Sequence, residues 1–312
     1  MKLFQWITKD TNINFLGAEK LTYAISIVAF VLSIAVIGFK GFNYGIDFAG
    51  GILMEIKSEE KINLDELRSK LDSVDVGEIN LQTIGENGDE VMIRAEADNL
   101  DERAQMAAIN KIKQILGNAI DYRKIELVGP QVGDELKIAG AVASLIAILA
   151  ICAYIWIRFE WQFAFGALLG LFHDVIITLG LLAIFDMDFS LTTIAAILTL
   201  AGYSVNDKVV TYDRIRENLR KFTRMPQREL LNKSINDIFS RTLLTGLTTL
   251  LAAVALFIFG GDTLRSFSFT IVAGIIVGTY SSIYVSTVVL TCFDLRRSME
   301  ESKNVNPFGN ID

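Results

Sequence analysis

An aspartate interrupts a long apolar stretch in the second half of the chain. Asp207 follows a run that is apolar from Leu191, and Val209 continues the pattern. If the helix extends to about Arg216, this carboxyl lies well below the surface, where burial and a nearby cation act in opposite directions on its affinity for a proton. The sequence predicts a group that takes up and releases a proton. The alternative is a solvated carboxylate at a helix end beside Lys208.

Two further ionisable sites lie in apolar surroundings. Arg241 opens another apolar run, where it is either a partner of Asp207 or a flanking cation whose side chain reaches the membrane surface. His173, the only histidine of the chain, is followed by Asp174 in the middle of a third run. This couple fits either a proton relay or a static hydrogen-bonded pair between helices. A charge at the centre of a bilayer costs at least about 2.5–3.5 kcal/mol, so these groups are expected to face protein or water.

The surrounding apolar residues fall in long runs, and the charges fall between them. The chain has 312 residues, of which 52% are hydrophobic and 21% charged, and its mean hydropathy is +0.42. A helix of roughly 18 apolar residues crosses the hydrocarbon core of a membrane. Six runs have about this length: Leu21–Phe39, Ile138–Ile157, Gln162–Ile184, Leu191–Val210, Leu243–Phe259 and Phe267–Cys292. The sequence therefore predicts a polytopic α-helical membrane protein with six transmembrane helices.

Glycine pairs and two cysteines lie inside these runs, and they predict helix packing more than metal binding. Gly166 and Gly170 have the spacing that permits close helix contact, although such spacings are common by chance, and the sixth run contains a second pair of this kind. Cys152 and Cys292 both lie in predicted spans. Neither a disulfide nor a zinc site is predicted for them, and no metal or cofactor is expected.

Lys and Arg are concentrated in alternate connections. The segment before the first span, the loop near 214–240 and the tail are basic, whereas Asp186 and Asp188 lie between the third and fourth spans. Short cytoplasmic loops carry excess Lys and Arg, so both termini are predicted to be cytoplasmic. The first span is predicted to be retained, because its apolar region is long and lacks a typical cleavage pattern.

Residues 40–137 then lie outside the membrane and contain 20 acidic and 12 basic residues. Alternating apolar and polar residues from Ile52 predict a strand, and Asn63 predicts the start of a helix. Asn87-Gly88 predicts a hairpin turn. Asn99 predicts the start of a second helix, and Asp121–Val128 predicts a last strand. This βαββαβ order is that of a ferredoxin-like domain. Its first and last strands are adjacent, so the chain enters and leaves on the same side.

The predicted organisation follows from these boundaries. It consists of a cytoplasmic N-terminal segment (1–20), the first transmembrane helix (21–39), a ferredoxin-like periplasmic α/β domain inserted between helices 1 and 2 (40–137), a membrane domain of five helices with a basic cytoplasmic loop near 214–240 (138–295), and a cytoplasmic tail (296–312).

Several motifs occur in a characteristic order. They are Gly45–Gly51, Phe172–Val175, Gly202–Asp207, Thr211–Asn218 and Ser240–Thr242. In order and position they resemble the SecF family, within the resistance–nodulation–division superfamily, over essentially the whole chain. The stretch from Asn206 to Asn218 is the most specific part.

The resemblance implies roles for individual residues. It assigns proton coupling to Asp207 and Arg241. Lys208 departs from the family pattern, in which a small or apolar residue is usual at this position. The other matching motif residues, for which structural roles are expected, are Asp47, Gly50, Gly51, Asn206, Asp213 and Arg214.

The resemblance also implies a function. SecF proteins act with a SecD-like subunit and the SecYEG channel at the bacterial inner membrane, where the proton motive force promotes late stages of preprotein export. The expected partners are therefore these subunits, the unfolded preprotein and membrane lipids, with no nucleic acid. No phosphate-binding loop is present, so the chain is not expected to hydrolyse ATP or to be an enzyme.

Other classes of function fit the sequence less well. A proton-driven small-solute exporter of the same superfamily usually has both six-helix halves and larger outer domains on one chain. A non-conducting assembly scaffold would use its acidic residues only to hold helices together. An intramembrane aspartyl protease is disfavoured, because no Gly-x-Gly-Asp motif is present to supply a second carboxylate.

Overall fold

The computed structural model describes residues 11–72, 74, 76–77, 79–84, 88–95, 102–117, 120–261 and 264–296. The chain divides into two compact units. Of the described residues, those within 43–143 and 188–191 form an α/β unit, and the others form a helical unit. The predicted turn residue Asn87, the predicted helix start at Asn99 and most of the basic tail lie outside the described residues.

The helices are α1 (Glu19–Lys40), α2 (Ile46–Ala49), α3 (Leu64–Leu71), α4 (Glu102–Leu116), α5 (Pro130–Arg158), α6 (Trp161–Ile184), α7 (Leu191–Lys221), α8 (Gln227–Phe259) and α9 (Arg265–Ser281). The strands are β1 (Asn43–Tyr44), β2 (Gly51–Lys57), β3 (Ile79–Ile84), β4 (Glu90–Ala95), β5 (Asp121–Val128) and β6 (Asp188–Phe189). A 3₁₀ turn precedes α1 (Leu16–Ala18), and α9 continues as a π-helical segment (Ser282–Ser286) followed by short turns to Cys292.

Five helical segments of the described chain are long and apolar enough to cross a membrane. They are Leu16–Lys40, Gln131–Arg158, Trp161–Ile184, Gln227–Phe259 and Arg265–Cys292. The fourth predicted span lies in α7, which is 31 residues long. It is not one of the five, because the consecutive residues Asn206, Asp207 and Lys208 lower its hydropathy.

The predicted loop near 214–240 is wrong in its extent. α7 continues to Lys221 and α8 begins at Gln227, so only residues 222–226 connect the two helices. The basic residues indicated a loop, but apolar residues lie among them at helical spacing. Ile215 and Leu219 are buried in α7, as are Leu231 and Ile235 in α8. Their burial stabilises helices that are polar on the other face.

The α/β unit contains a four-stranded sheet in the order β3-β4-β2-β5, and every neighbouring pair is antiparallel. With α3 and α4 it has the predicted βαββαβ order, and its first and last strands, β2 and β5, are adjacent. Ile52, Met54 and Ile56 of β2 are buried in its core. Asn63 caps α3 as predicted, since its side chain accepts hydrogen bonds from the backbone N–H groups of Asp65 and Glu66.

The sequence did not predict the short elements β1, β6 and α2. β1 pairs in parallel with β6, so that Asn43 is opposite Asp188. Two residues are too few to produce a recognisable alternation, and their partners are distant in the chain. Only the folded unit brings them together.

Candidate functional site

A lysine and an aspartate form an ion pair inside the helical unit. Nζ of Lys208 on α7 lies 2.7 Å from Oδ2 of Asp174 on α6, and both side chains are fully buried. Oγ of Ser204, one turn before Lys208, donates to the same Asp174 oxygen at 2.5 Å and accepts from Nζ at 2.5 Å. Each buried charge thus has an opposite charge and further hydrogen bonds, which is what makes a buried ion pair tolerable.

His173 extends this cluster to two more helices. Its Nδ1 lies 3.0 Å from Oδ1 of Asp174, and its ring stacks against Tyr280 of α9 with the ring centroids 6.4 Å apart. The Tyr280 hydroxyl donates to the carbonyl of Thr22 on α1 at 2.8 Å. Nε2 of His173 is buried and has no hydrogen-bond partner among the described residues. The network therefore runs from α7 through α6 and α9 to α1.

Asp207 lies on the same helix as Lys208 but faces α8. Its Oδ1 accepts a hydrogen bond from Oγ1 of Thr242 at 3.0 Å. Its Oδ2 is buried and has no hydrogen-bond partner in the part of the chain that the structure describes. The carboxyl is thus held on one side and open on the other, inside the bundle.

The residue predicted to pair with Asp207 does not contact it here. Arg241 is exposed, and none of the ion pairs among the described residues joins it to Asp207. The next residue, Thr242, makes the contact instead. Successive residues on a helix point about 100° apart, so Arg241 points away when Thr242 faces α7.

Glycines of α6 make room for the buried side chains of α7. A Cβ atom at Gly170 would lie 2.4 Å from Cε of Lys208, and one at Gly166 would lie 2.6 Å from the hydroxyl oxygen of Tyr212. The spacing of these glycines predicted close helix contact, and the distances identify the side chains that use the space. Both glycines therefore serve the site, although their spacing alone was a weak signal.

Tyr212 connects α7 to the π-helical segment. Its side chain is fully buried, and its hydroxyl donates to the carbonyl of Ser286 at 2.9 Å. Single π turns inside α-helices are frequent at functional sites, where they alter the hydrogen-bond ladder locally. Here the tyrosine hydroxyl satisfies a carbonyl of that turn.

The motif at the end of α7 contacts two neighbouring helices. Arg158, the last residue of α5, donates to both carboxylate oxygens of Asp213 at 3.0 Å. Arg214 lies 2.8 Å from Asp237 of α8. Asn206, in contrast, is exposed. The charges of this motif therefore dock α7 against α5 and α8.

The glycine motif after α1 belongs to the α/β unit. Asp47 accepts a hydrogen bond from the backbone N–H of Leu191, the first residue of α7, at 3.0 Å. A carboxylate at this position satisfies an unpaired N–H and interacts favourably with the helix dipole. Gly50 and Gly51 have φ values of 76° and 108°, which favour glycine. They turn the chain from α2 into β2.

Sequence reasoning missed two residues of the site. It treated Lys208 only as a neighbour of Asp207 and as a departure from the family pattern, whereas the lysine is the counter-ion of Asp174. The available signal was the four-residue spacing of Ser204 and Lys208, which puts both on one helix face. Thr242 was missed because it is one of four threonines between residues 242 and 249, and nothing local distinguishes it from the others.

These features define a multi-pass helical membrane protein with ionisable side chains inside its bundle. Among the described residues, no group of three or more His, Cys, Asp and Glu side chains is arranged to hold a metal ion. The buried groups are instead joined by hydrogen bonds and one ion pair.

The sequence matches two families of known proteins. Residues 108–296 match "Protein export membrane protein SecD/SecF, C-terminal", and residues 35–62 match "SecD/SecF GG Motif". The protein translocase subunit SecF of Rickettsia rickettsii is 48% identical over 92% of this chain and 93% of its own length. That of Rickettsia typhi is 46% identical over 94% of this chain and 96% of its own length.

Solved structures agree with these matches. SecDF from Thermus thermophilus, described as a translocon-associated membrane protein, is 35% identical with a TM-score of 0.81, covering 91% of this chain and 39% of that chain. SecDF in a super-membrane-facing form is 34% identical with a TM-score of 0.67, covering 95% of this chain and 40% of that chain. The chain therefore belongs to the SecF family of protein translocase subunits, as its motifs predicted.

Proposed function

We propose that the chain acts with a SecD-like partner in the bacterial inner membrane and uses the proton motive force to promote late steps of preprotein export. The chain spans about two fifths of the SecDF structures that it matches. A SecD-like subunit supplies the remainder, and the SecYEG channel and the unfolded preprotein are the other partners. Lipid surrounds exposed apolar side chains such as Val28 and Leu149.

The environment of Asp207 carries the proposal. Thr242 holds one carboxylate oxygen, and the other oxygen is unpaired within the described chain. A proton bound there removes a charge from the bundle and weakens the charge-assisted bond to Thr242. α7 and α8 then interact differently in the two protonation states, and such a difference is what lets a bound proton shift a conformational equilibrium.

The available driving force is sufficient for this purpose. One charge that moves through the full membrane potential releases about 2.3 kcal/mol per 100 mV, which shifts a two-state equilibrium by roughly fiftyfold.

Arg241 is the second residue proposed for proton coupling. It is exposed on α8 beside Thr242, so a rotation of α8 by about one residue, roughly 100°, would present it to Asp207 in place of Thr242. The other motif residues have structural roles in this proposal: Asp47, Gly50, Gly51, Asn206, Asp213 and Arg214.

We further propose six transmembrane helices with both termini in the cytoplasm. α7 contains the fourth predicted span and brings the five apolar segments to a total of six. The burial of Ser204 and Lys208 against α6 supports this assignment. Polar residues in a span are tolerated where they face the interior of a bundle.

Residues 40–137 form a ferredoxin-like periplasmic domain, an assignment supported by the sheet order β3-β4-β2-β5. Residues 1–20 and 296–312 are cytoplasmic, and the membrane helices after the domain lie within 138–295.

The chain promotes export without an ATPase activity of its own. The absence of a phosphate-binding loop from the sequence supports this part of the proposal.

Replacement of the carboxyl tests the central residue. We expect Asp207→Asn to abolish gradient-dependent stimulation of preprotein release from membrane vesicles, while the complex stays assembled. Asparagine keeps the size and the bond to Thr242 but cannot change charge. Asp134→Asn, which changes an exposed carboxylate of α5, is the control. Release is measured with and without an imposed proton gradient.

The outcomes separate the possible functions. If Asp207→Asn vesicles respond to the gradient as the wild type does, Asp207 is not the proton carrier, and His173 with Asp174 becomes the leading candidate. Arg241→Lys is expected to weaken the response, because a point charge replaces the guanidinium fork. A gradient that never affects release from wild-type vesicles would favour a scaffold.

A further inference from the structure

We propose that Lys208 is a fixed internal counter-ion that holds Asp174 in its ionised form and thereby confines proton exchange to Asp207. This inference rests on the proposed function of Asp207 and adds a positioning residue to it. It also assigns His173 and Asp174 to a static network that moves no proton through the bundle.

The two aspartates differ in how their oxygens are used. Oδ2 of Asp174 contacts both Lys208 and Ser204 at 2.7 and 2.5 Å, and Oδ1 contacts His173 at 3.0 Å. Oδ1 of Asp207 accepts from Thr242, while its Oδ2 has no hydrogen-bond partner among the described residues, although the Ser282 side chain of the π-helical segment lies near the carboxyl. Both oxygens of Asp174 are therefore paired, whereas Asp207 has one oxygen open for a proton.

The lysine occupies a place that fits its full length. Its side chain is completely buried, and its stem passes Gly170, where a Cβ atom would lie 2.4 Å from Cε. A lysine that only flanked the membrane would extend its ammonium group toward water. Lys208 instead extends into the bundle and ends on Asp174.

The charges around the pair are few. His173 faces it from α6 and Asp207 follows on α7, while α9 contributes the glycine Gly278 and the phenol of Tyr280. From α1, the hydroxyl of Ser26 and the backbone carbonyl of Thr22, both uncharged, contact Tyr280. No other cation therefore faces Asp174 among the described residues apart from Lys208 and, when protonated, His173.

Removal of Lys208 has a defined consequence. A carboxylate left in the bundle without its lysine is costly to keep charged, and such groups become neutral by binding a proton. Asp174 would then become a second proton-binding carboxyl beside Asp207. The lysine thus determines how many carboxyl groups of the bundle exchange protons.

Infrared difference spectroscopy tests the charge of Asp174 directly. The full chain, co-produced with its SecD-like partner in native membranes, is compared as wild type, Lys208→Met, Asp174→Asn and the double variant. We expect the Lys208→Met membranes to gain a protonated-carboxyl C=O band at neutral pH that is absent from the wild type and lost again in the double variant. Lys221→Met, which removes an exposed lysine of α7, is the control and should gain no band.

The pH profile of gradient-dependent export gives a second measurement. The wild type should show one ionisation and Lys208→Met two, because Asp174 joins Asp207. The double variant, in which both partners are neutral, should regain a single ionisation and most of the gradient response. If Asp174 has a static role, the double variant keeps its response to the gradient. If Asp174 relays protons, the double variant loses that response.

Three results would overturn the proposal. They are a protonated-carboxyl band in the wild type that Asp174→Asn removes, a Lys208→Met variant without a new band, and an assembled double variant that no longer responds to the gradient. If Lys208→Met does not fold, the wild type and Asp174→Asn still decide the question, because their difference shows whether Asp174 is ionised. If Asp207→Asn keeps its gradient response, the proposed function fails, while the infrared bands still report the charge of Asp174.

Discussion

Two consecutive residues of α7 have opposite charges and different surroundings. Lys208 is fully buried against α6, and Asp207 is held by Thr242 of α8. Neighbouring residues on a helix point in different directions and do not face each other. The two charged groups therefore do not form an ion pair with each other: Lys208 pairs with Asp174 of α6, and Asp207 accepts a hydrogen bond from the neutral Thr242 of α8. In the proposed mechanism, this separation lets Asp174 stay paired while Asp207 exchanges a proton.

Gly170 can be tested by adding a single methyl group. We expect Gly170→Ala to lower the free energy of unfolding by about 1–3 kcal/mol, because the new Cβ would lie 2.4 Å from Cε of the buried Lys208. The matched control is Gly202→Ala on α7, where no atom lies within 4 Å of the added Cβ and alanine favours the helix by about 0.5–1 kcal/mol. Unfolding of the detergent-solubilised protein by denaturant measures both. Equal stabilities for the two variants would contradict the packing described around Lys208.

At the scale of elements, two asparagines of α8 hold the segment before α1. Asn236 accepts from the backbone N–H of Ile13 and donates to its carbonyl, both at 2.8 Å. Asn232, one turn earlier, accepts from the N–H of Phe15 at 2.8 Å. These amides satisfy main-chain groups that no strand or helix pairs. The segment that leads into α1 is therefore tied to α8, the helix that also contacts Asp207.

Hydrogen exchange can measure this attachment. We expect Asn236→Ala to reduce protection of the Ile13 amide by roughly three- to tenfold, since a neutral hydrogen bond of this kind contributes about 0.5–1.5 kcal/mol. Glu229→Ala, which changes an exposed residue of the same helix, should leave the protection unchanged. An equal loss in both variants would mean that the asparagine does not hold the segment specifically.

At the scale of the molecule, the helices divide into inner and outer ones. In α6 and in the segment from Arg265 to Cys292, 56% of the most apolar 18-residue stretch is buried. The corresponding share is 17% in the segment that contains α1 and 11% in α5. The buried ion pair joins α7 to the inner helix α6, whereas Thr242, the partner of Asp207, lies on α8, whose apolar stretch is 17% buried. The outer helices leave wide apolar faces for lipid or for the proposed SecD-like partner.

The proposed topology predicts which residues can be labelled from outside the cell. In a chain with Cys152 and Cys292 replaced by serine, we expect a membrane-impermeant thiol reagent to label Lys61→Cys, in the α/β unit, in intact cells. Thr223→Cys, between α7 and α8, should react only after the membrane is opened. Both residues are exposed, so accessibility within the fold does not distinguish them. Labelling of Thr223→Cys in intact cells would reject the six-span arrangement.

The sequence by itself determined the features that depend on local pattern. Long apolar runs predicted the membrane helices, and alternating strands with Asn63 as a helix cap predicted the βαββαβ order. Motifs of fixed spacing predicted the family. These features follow from hydropathy and periodicity over neighbouring residues, which the chain displays before it folds. The charged stretch near 214–240 was misinterpreted because charge is a weaker guide to helix ends than apolar spacing.

Only the tertiary structure decided how the charges are paired. Asp174 and Lys208 are 34 residues apart, and Asp207 and Thr242 are 35 apart. Nothing local distinguishes Thr242 from Arg241 as the neighbour of Asp207, because the choice depends on how α8 is rotated against α7. The burial of Lys208 likewise depends on the space left by Gly170 of another helix. Pairing inside a bundle is set by the packing of whole helices, so it becomes visible only when those helices are placed together.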